Sequence, residues 1–292
     1  MIYTLTCNPS LDIKVQAETF NVGKINKSKE VKVVPGGKGI NISTLLAKEG
    51  MTNTALGFVG GNVGKRVLDG LHPKIIKDFI EVGSETRINI KINKDIDTEI
   101  NGIGPKASNE DKDILFAKLR NLNRQYDLLI ISGSVLPNLK DDFYEKCVEV
   151  INNTPFIIDA RAPLLVNTLK YHPELVKPNL NELQEIYKKK IKTNEDIEKA
   201  ATKLLELGAK RVLVSMGEDG IFFISKNAKF FRKAHKGKKI KSCVGAGDAL
   251  VAGFVSEFVF SKDEKKAVTK ALKMASDVVF KGTLLWDWLF KE

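Results

Sequence analysis

Short apolar runs recur along the chain, separated by stretches with helical periodicity. LLIIS (Leu128–Ser132), FIID (Phe156–Asp159), ELVK (Glu174–Lys177) and VLVSM (Val212–Met216) are each too short for a helix and show no alternation. Unbroken apolar runs of this length suit strands covered on both faces. Between them, DDFYEKCVEVIN offers Asp141 and Asp142 as helix caps, and NEDIEKAATKLLELG offers Asn194 as a start and Gly208 as a stop. Strands alternating with helices predict an α/β fold: a doubly wound, mostly parallel sheet flanked by helices. Two regions break the rhythm. SKEVKVVPGG (28–37) and ETRINIKINKDIDTEINGIGP (85–105) alternate apolar and polar residues, as strands with one exposed face do. KDID reads as a hairpin turn. These segments predict a small β-sheet lid, built from about residues 12–34 and 86–104, on a single α/β domain covering 1–292; no linker or repeat divides the chain.

Composition narrows the class. Of 292 residues, 43% are hydrophobic and 28% charged, which excludes global disorder. Lys plus Arg outnumber Asp plus Glu by 47 to 36, a net charge of +11 that points to anionic partners. Cys7, Cys147 and Cys243 are odd in number, far apart and form no CxxC, so neither a disulfide framework nor a zinc site is supported, and a reducing, cytoplasmic setting is expected. MIYTLTCNPSLD has no basic segment ahead of an apolar one, so no signal peptide is expected, and ALVAGFVSEFVF is too short to span a membrane.

In open α/β sheets, ligands bind beyond the carboxyl ends of the strands. Here those ends run into SGS (Ser132–Ser134), DAR (Asp159–Arg161), KPNLNE (Lys177–Glu182) and SMGEDG (Ser215–Gly220). Any one of these tips is ordinary turn chemistry; four in succession suggest a binding edge. Two glycine clusters are sharper. PGGKGIN (Pro35–Asn41) opens a helix, and VGAGDALVAGF (Val244–Phe254) is a Gly turn entering another, with Asp248 in its first turn. Glycines let backbone N–H groups approach a ligand, and a helix N-terminus favours an anion. Asp248 alone could be a dipole-stabilising carboxylate. Beside an anion-binding nest it suits phosphoryl transfer, with the nest holding developing charge while the carboxylate takes a proton. GNVGKR (Gly61–Arg66) lacks the upstream Gly and following Ser/Thr of a Walker A loop. Gly245-Ala246-Gly247 lies too late, and lacks the third glycine, for a nicotinamide fingerprint.

PGGKGIN together with VGAGDALVAGF resembles the paired signatures of the ribokinase-like sugar kinases, the phosphofructokinase B family. TLTCNPSLD, ALGFVGG, ETRINIKI, TEINGIGP, SGS, KPNLNEL and VSMGEDG fall in family order over most of the chain. PGGKGIN and TRINIKI look most like the branch that converts fructose 1-phosphate to fructose 1,6-bisphosphate; the branch acting on tagatose 6-phosphate is next. The resemblance implies ATP as donor, Mg2+ bridging its phosphates, and in some relatives a K+ site. It implies Asp248 as the base, with Gly245, Ala246 and Gly247 as the anion hole. Asp12, Gly36, Gly37 and Asn41 would hold sugar hydroxyls. Lys38, Arg87 and Ser134 would contact the substrate, with Arg87 first choice for its phosphate and Lys24 and Lys27 second choices from the lid. Lys177, Asn179, Ser215, Gly217 and Gly220 would serve the nucleotide, and Glu182 the metal. A homodimer through the lid is implied, with no nucleic-acid or membrane partner.

The chain departs from the family in SGSVLPN, in DAR, in Cys243 where relatives more often carry Thr, and in KMASDVVFKGT, a degraded version of the helix that helps form the adenine pocket. The segment 226–242 holds eight Lys/Arg and no acid, with two interleaved Phe. Basic residues with stacking aromatics support a second reading, a nucleic-acid-binding protein on a kinase scaffold. An exposed hairpin with its Phe residues turned inward is the simpler expectation. Cys243 is expected to be a small buried core residue and Trp286 and Trp288 packing anchors, while His72, His172 and His235 show no metal spacing.

Overall fold

The computed structural model describes residues 1–93, 98–122, 125–235, 237, 240 and 243–281. In chain order the elements begin with β1 (Ile2–Thr6), β2 (Ser10–Ala17), β3 (Ser28–Gly36), α1 (Lys38–Lys48), β4 (Asn53–Val59), α2 (Gly61–Asp69), β5 (Ile75–Lys77), β6 (Ile80–Glu81), β7 (Arg87–Asn93) and β8 (Thr98–Asn101). There follow α3 (Asn109–Arg120), β9 (Leu128–Ser132), α4 (Phe143–Val150), β10 (Phe156–Asp159), α5 (Ala162–Val166), β11 (Leu175–Val176), α6 (Leu180–Tyr187) and α7 (Asn194–Glu206). The remaining described elements are β12 (Arg211–Ser215), β13 (Ile221–Ser225), β14 (Lys229–Arg232), α8 (Ala246–Ser261) and α9 (Glu264–Lys281).

The main sheet has the order β14-β13-β12-β11-β10-β9-β1-β4-β5, with β6 also on β4. Its strands pair in parallel except at β12–β13 and β13–β14. Alternate residues bury themselves on opposite faces, which explains the unbroken apolar runs. Leu129 and Ile131 join a core with residues of α3, α4 and α7, whereas Ile130, between them, joins a core with α1, α8 and α9. The chain leaves β1 for β4 on one side and returns to β9 on the other, so β1 and β9 flank the switch point where α/β sheets bind ligands.

The second sheet has the order β3-β2-β7-β8. It comes from the two alternating segments, but its strands start at Ser10 and Arg87 and end at Gly36 and Asn101 rather than at the expected limits. KDID lies outside the described residues. Local chemistry moves other boundaries. The α7 cap is Thr193, not Asn194, because Thr193 and Asp196 complete a reciprocal capping box. Asp142 precedes α4 without a capping bond and pairs with Lys146 at 2.8 Å; Asp141 pairs with Arg161. ELVK shortens to β11, leaving Lys177 beyond the strand end. Phe230 of the basic stretch stacks on buried Phe223 at 5.4 Å between centroids, as expected of an inward ring, whereas Phe231, tilted against Phe222 at 4.4 Å, stays exposed. Lys236, Lys238, Lys239, Lys241, Ser242, Trp286 and Trp288 lie outside the described residues. Among those described, no helix is long and apolar enough to cross a membrane.

Candidate active site

A cavity of about 1480 Å³ opens where the main sheet's carboxyl edge faces the small sheet. Two helices point their N-termini at it. Gly245 takes the left-handed conformation (φ +84°) that turns the chain into α8, and Gly37 (φ +121°) does the same for α1. Neither terminus has a side-chain cap, whereas α3, α6 and α7 each carry a full capping box. The Ala246 amide donates to the Cys243 carbonyl at 3.3 Å, and the first-turn amides left without such a bond are donors available to an anion. GNVGKR forms α2 instead, and its first amides, from Asn62 and Val63, donate to the Glu85 carboxylate.

Asp248 sits in the first turn of α8, 5% exposed, and its Oδ2 accepts a hydrogen bond from Asn41 Nδ2 at 2.7 Å. Burial, with the nearby charge of Asp159 adding to it, pushes its carboxyl pKa up to about 6; Lys38, Asn41 and Lys177 oppose the shift. Asp159, at the end of β10, is fully buried. Its Oδ1 accepts from Lys38 Nζ at 3.1 Å and pairs with Lys177 Nζ at 3.2 Å, while Oδ2 has no hydrogen-bond partner. Burial would raise this carboxyl, but Lys177 and Lys38 outweigh it and hold the pKa below the usual aspartate value. The same pairing with Asp159 raises the Lys38 pKa. The Lys177 ammonium stands 3.4 Å from where a Cβ on Gly247 would lie, which places this cation beside the first turn of α8.

The small sheet supplies the opposite wall. Asp12 Oδ1 accepts from Ser10 Oγ at 2.6 Å and Asn89 Nδ2 at 3.0 Å, and Oδ2 pairs with Lys91 Nζ at 2.9 Å. A side chain at Gly36 would collide with Asp12 and Ser10, so Gly36 supports this cluster from behind without lining the cavity. Arg87 spends three N–H groups on the carbonyls of Pro9, Gly102 and Asn8 at 3.0–3.4 Å. Its burial lowers its pKa, against the pull of Asp12.

Of the residues singled out in the sequence, Asp12, Gly37, Lys38, Asn41, Arg87 and Ser134 line the cavity, as do Lys177, Asn179, Glu182, Ser215, Gly217, Gly220 and Gly245–Asp248. Lys24 and Lys27 do not: they stand exposed on the segment between β2 and β3. Glu182 is committed in part, its Oε2 accepting from the Asn179 amide as half of the α6 capping box, while Oε1 stands 4.0 Å from Lys38 Nζ. No group of three His, Cys, Asp or Glu able to cage a metal occurs among the described residues. Cys243 is exposed and lines the cavity rather than packing in the core. The end beyond Gly220 is apolar, with Leu250, Leu272, Ala275, Val279 and Phe280 from α8 and α9, so the degraded helix still supplies a wall. Sequence reasoning missed Asn8, Asn89, Lys91 and the pairing role of Asp159. For Asn89 and Lys91 the signal was present: Arg87, Asn89 and Lys91 alternate with isoleucines and so share a face.

Residues 6–284 match the family model described as pfkB family carbohydrate kinase. The chain is 39% identical over 259 residues to 1-phosphofructokinase of Bacillus subtilis, covering 88% of this chain and 85% of that one. It is 37% identical over 280 residues to D-tagatose-1-phosphate kinase of Bacillus licheniformis, covering 94% and 90%. Among solved structures, phosphofructokinase-2 from Escherichia coli in complex with substrates and products superposes with a TM-score of 0.90 at 25% identity, covering 96% of this chain and 93% of that one.

Proposed function

The chain belongs to the pfkB family of carbohydrate kinases, and from that premise we propose that it transfers the γ-phosphoryl group of ATP to fructose 1-phosphate, giving fructose 1,6-bisphosphate. The observation that carries the reading is Asp248, a buried carboxylate in the first turn of a helix whose N-terminus no side chain caps. A carboxyl with its pKa near 6 is deprotonated at neutral pH yet basic enough to take a proton from an attacking hydroxyl. The α8 amides, with Lys177 beside Gly247, meet the charge on the transferring group. Phosphoryl transfer needs positioning and charge neutralisation more than covalent help, and the cavity offers both. Asp12, fixed by three donors, holds sugar hydroxyls, and Ser215, Gly217 and Gly220 border the nucleotide. The small sheet acts as a lid that excludes water.

Magnesium enters with ATP, as part of the substrate complex. The donor set fits that role: Glu182 keeps one carboxylate oxygen for it, and the described residues form no cage of their own, as suits an ion held mainly by phosphate oxygens and water. The second acceptor is tagatose 1-phosphate, on the strength of the relative named for it. We read the outward face of the lid as a homodimer interface. Val31, Ile88 and Ile100 stand exposed there, on the side away from Asp12.

The test is a panel of hexose phosphates with ATP and Mg2+, followed by ADP release. Fructose 1-phosphate is expected to give the highest kcat/KM, with tagatose 1-phosphate next. Absence of ADP release with every ketohexose phosphate would overturn the proposal.

A further inference from the structure

Among the described residues, five lysines and arginines line the cavity: Lys38, Arg87, Lys91, Arg161 and Lys177. Four of them are committed to partners inside the site. Lys38 and Lys177 share Asp159, which is fully buried, and Lys91 pairs with Asp12, which is buried as well. Arg87 donates to three main-chain carbonyls. Arg161 differs. Its Nη2 pairs with Asp141 Oδ1 at 2.7 Å, and the two side chains are 58% and 48% exposed. Asp141 itself does not line the cavity. Such an exposed pair adds little to stability, because water screens it and two flexible side chains must be held still. The cavity thus has four fixed cations and one whose counter-charge stands outside and is released at small cost.

The topology places this cation beside the reacting centre. β10 lies between β9 and β11, so Arg161, two residues beyond the end of β10, stands between the tip that carries Ser134 and the tip that carries Lys177, Asn179 and Glu182. Leu164 and Leu165 of α5 join the core of α3, α4 and α7, as does Leu183 of α6, whereas α8 belongs to the opposite core. Arg161 therefore borders the cavity from the sheet face across from the α8 N-terminus, on the side of Glu182. A phosphate chain held at the α8 amides presents its remaining oxygens to that side, and a planar guanidinium matches two of them at once. The main chain needs no rearrangement. The Arg161 carbonyl accepts from the Leu165 amide at 3.1 Å, and Asn167 Nδ2 holds the Asp141 carbonyl at 3.0 Å whether or not the guanidinium is there.

We propose that Arg161 leaves Asp141 when the nucleotide binds and closes on the oxygens of its β- and γ-phosphates. Asp141 is the resting partner and competes with ATP for the guanidinium. This rests on the reading of ATP as donor above. DAR, one of the chain's departures from the family motifs, thereby gains a role: its Asp fixes Lys38 and Lys177, and its Arg supplies the cation that moves. Arg161 binds the donor and takes no part in proton transfer or in holding the acceptor.

The experiment is calorimetric titration of the full chain with the non-hydrolysable ATP analogue AMPPNP in the presence of Mg2+, and separately with fructose 1-phosphate. Four chains are compared: wild type, Arg161→Met, Asp141→Asn and the double variant. Loss of one charge-assisted contact predicts that Arg161→Met binds the analogue about tenfold more weakly. Asp141→Asn should bind it about two- to fivefold more tightly, because the exposed pair no longer competes. The double variant should match Arg161→Met, since Asp141 acts only through the guanidinium. Fructose 1-phosphate should bind all four chains within about twofold. The opposite signs are the signature: a pair that merely braced the loop against α5 would make both substitutions act in the same direction. Binding of the analogue within twofold of wild type in Arg161→Met, weakened binding in Asp141→Asn, or a loss confined to fructose 1-phosphate overturns the assignment alone. A wild-type chain that does not bind the analogue overturns this assignment together with the ATP reading beneath it.

Discussion

The two walls of the cavity treat charge in opposite ways. On the main-sheet wall the cations are matched before any ligand arrives, because Lys38 and Lys177 share Asp159 and Arg161 pairs with Asp141, while the buried carboxylate Asp248 has a single side-chain donor, Asn41. On the small-sheet wall the carboxylate is the satisfied group, since Asp12 has Ser10, Asn89 and Lys91, and the cation Lys14, one row farther along the strands, has no hydrogen-bond or ion-pair partner among the described residues. Hydrogen-bond supply separates the roles. A carboxylate with three donors is fixed in place, which suits holding a hydroxyl. One with a single side-chain donor and a negative neighbour keeps its affinity for a proton, which suits removing one.

The largest effect expected from breaking this contrast is at Asp248. Asp248→Asn should lower kcat by about 10²–10⁴-fold, the usual range for loss of a positioned base. The same substitution should stabilise the fold at neutral pH. The native carboxyl, with its pKa raised from 3.8 to about 6, binds its proton more tightly than the unfolded one. Its favourable contribution is therefore complete below about pH 4 and is lost as pH rises through 6, a difference on the order of 3 kcal/mol. Denaturation at pH 8 should find Asp248→Asn the more stable protein, and at pH 4 the advantage should vanish. In the wild type, kcat/KM should fall below an acid limb near pH 6. A rate unchanged by the substitution would remove Asp248 from the chemistry.

Asp159→Asn comes second and tests the paired wall. It leaves Lys177, 3% exposed, beside Lys38 with no direct ion-pair partner among the described residues. Breaking a buried pair in this way costs about 3–5 kcal/mol, and relief of the repulsion on Asp248 returns part of it. The kinetic signature is specific: with Asp159 neutral, the acid limb of kcat/KM should move below pH 6, because Asp159 is one of the causes that raise the Asp248 pKa. An unmoved limb alongside lost stability would make Asp159 a structural group only.

The third prediction separates the two faces of the lid. Ile100→Glu places a charge on the apolar side, away from the cavity residues Asn89 and Asn101. Sedimentation velocity should show a wild-type dimer and a monomeric variant. A wild type that sediments as a monomer at tens of micromolar would refute the interface.

Much of the main-sheet wall was legible because its strands are buried on both faces and betray themselves as short apolar runs, and because glycine at Gly37 and Gly245 marks turns into helices. Asp159 was harder to see. It reads as the polar end of FIID, and its meaning depends on Lys38, 121 residues away. The general clue is that a charged residue continuing a buried strand needs a buried partner. On the small sheet, the alternation of TRINIKI gave the faces but not the neighbours; only the register shows that Lys14 stands between Lys32 and Lys91. Cys243 was misjudged because its size suits a core, while its place just before the α8 turn puts it at the cavity edge.

The smallest expected effect comes from a pair of caps, one at the cavity and one remote from it. Asn179 and Thr193 both accept a backbone N–H at N3 of their helices and both belong to a reciprocal box, with Glu182 and Asp196 respectively. Replacing either by Ala should cost about 1 kcal/mol of stability, the typical worth of an N-cap. The consequences should then part. The Asp196 carboxyl, held below its usual pKa first by the Lys192 and Thr193 amides, lies on an exposed helix start and touches nothing in the cavity. Glu182, in contrast, faces Lys38 across 4.0 Å, so loosening its helix start frees a carboxylate that lines the cavity. Asn179→Ala should therefore raise KM for ATP several-fold with little change in KM for the sugar phosphate, whereas Thr193→Ala should leave both alone at equal loss of stability. Equal KM values in the two variants would mean that the α6 cap serves the fold and not the site.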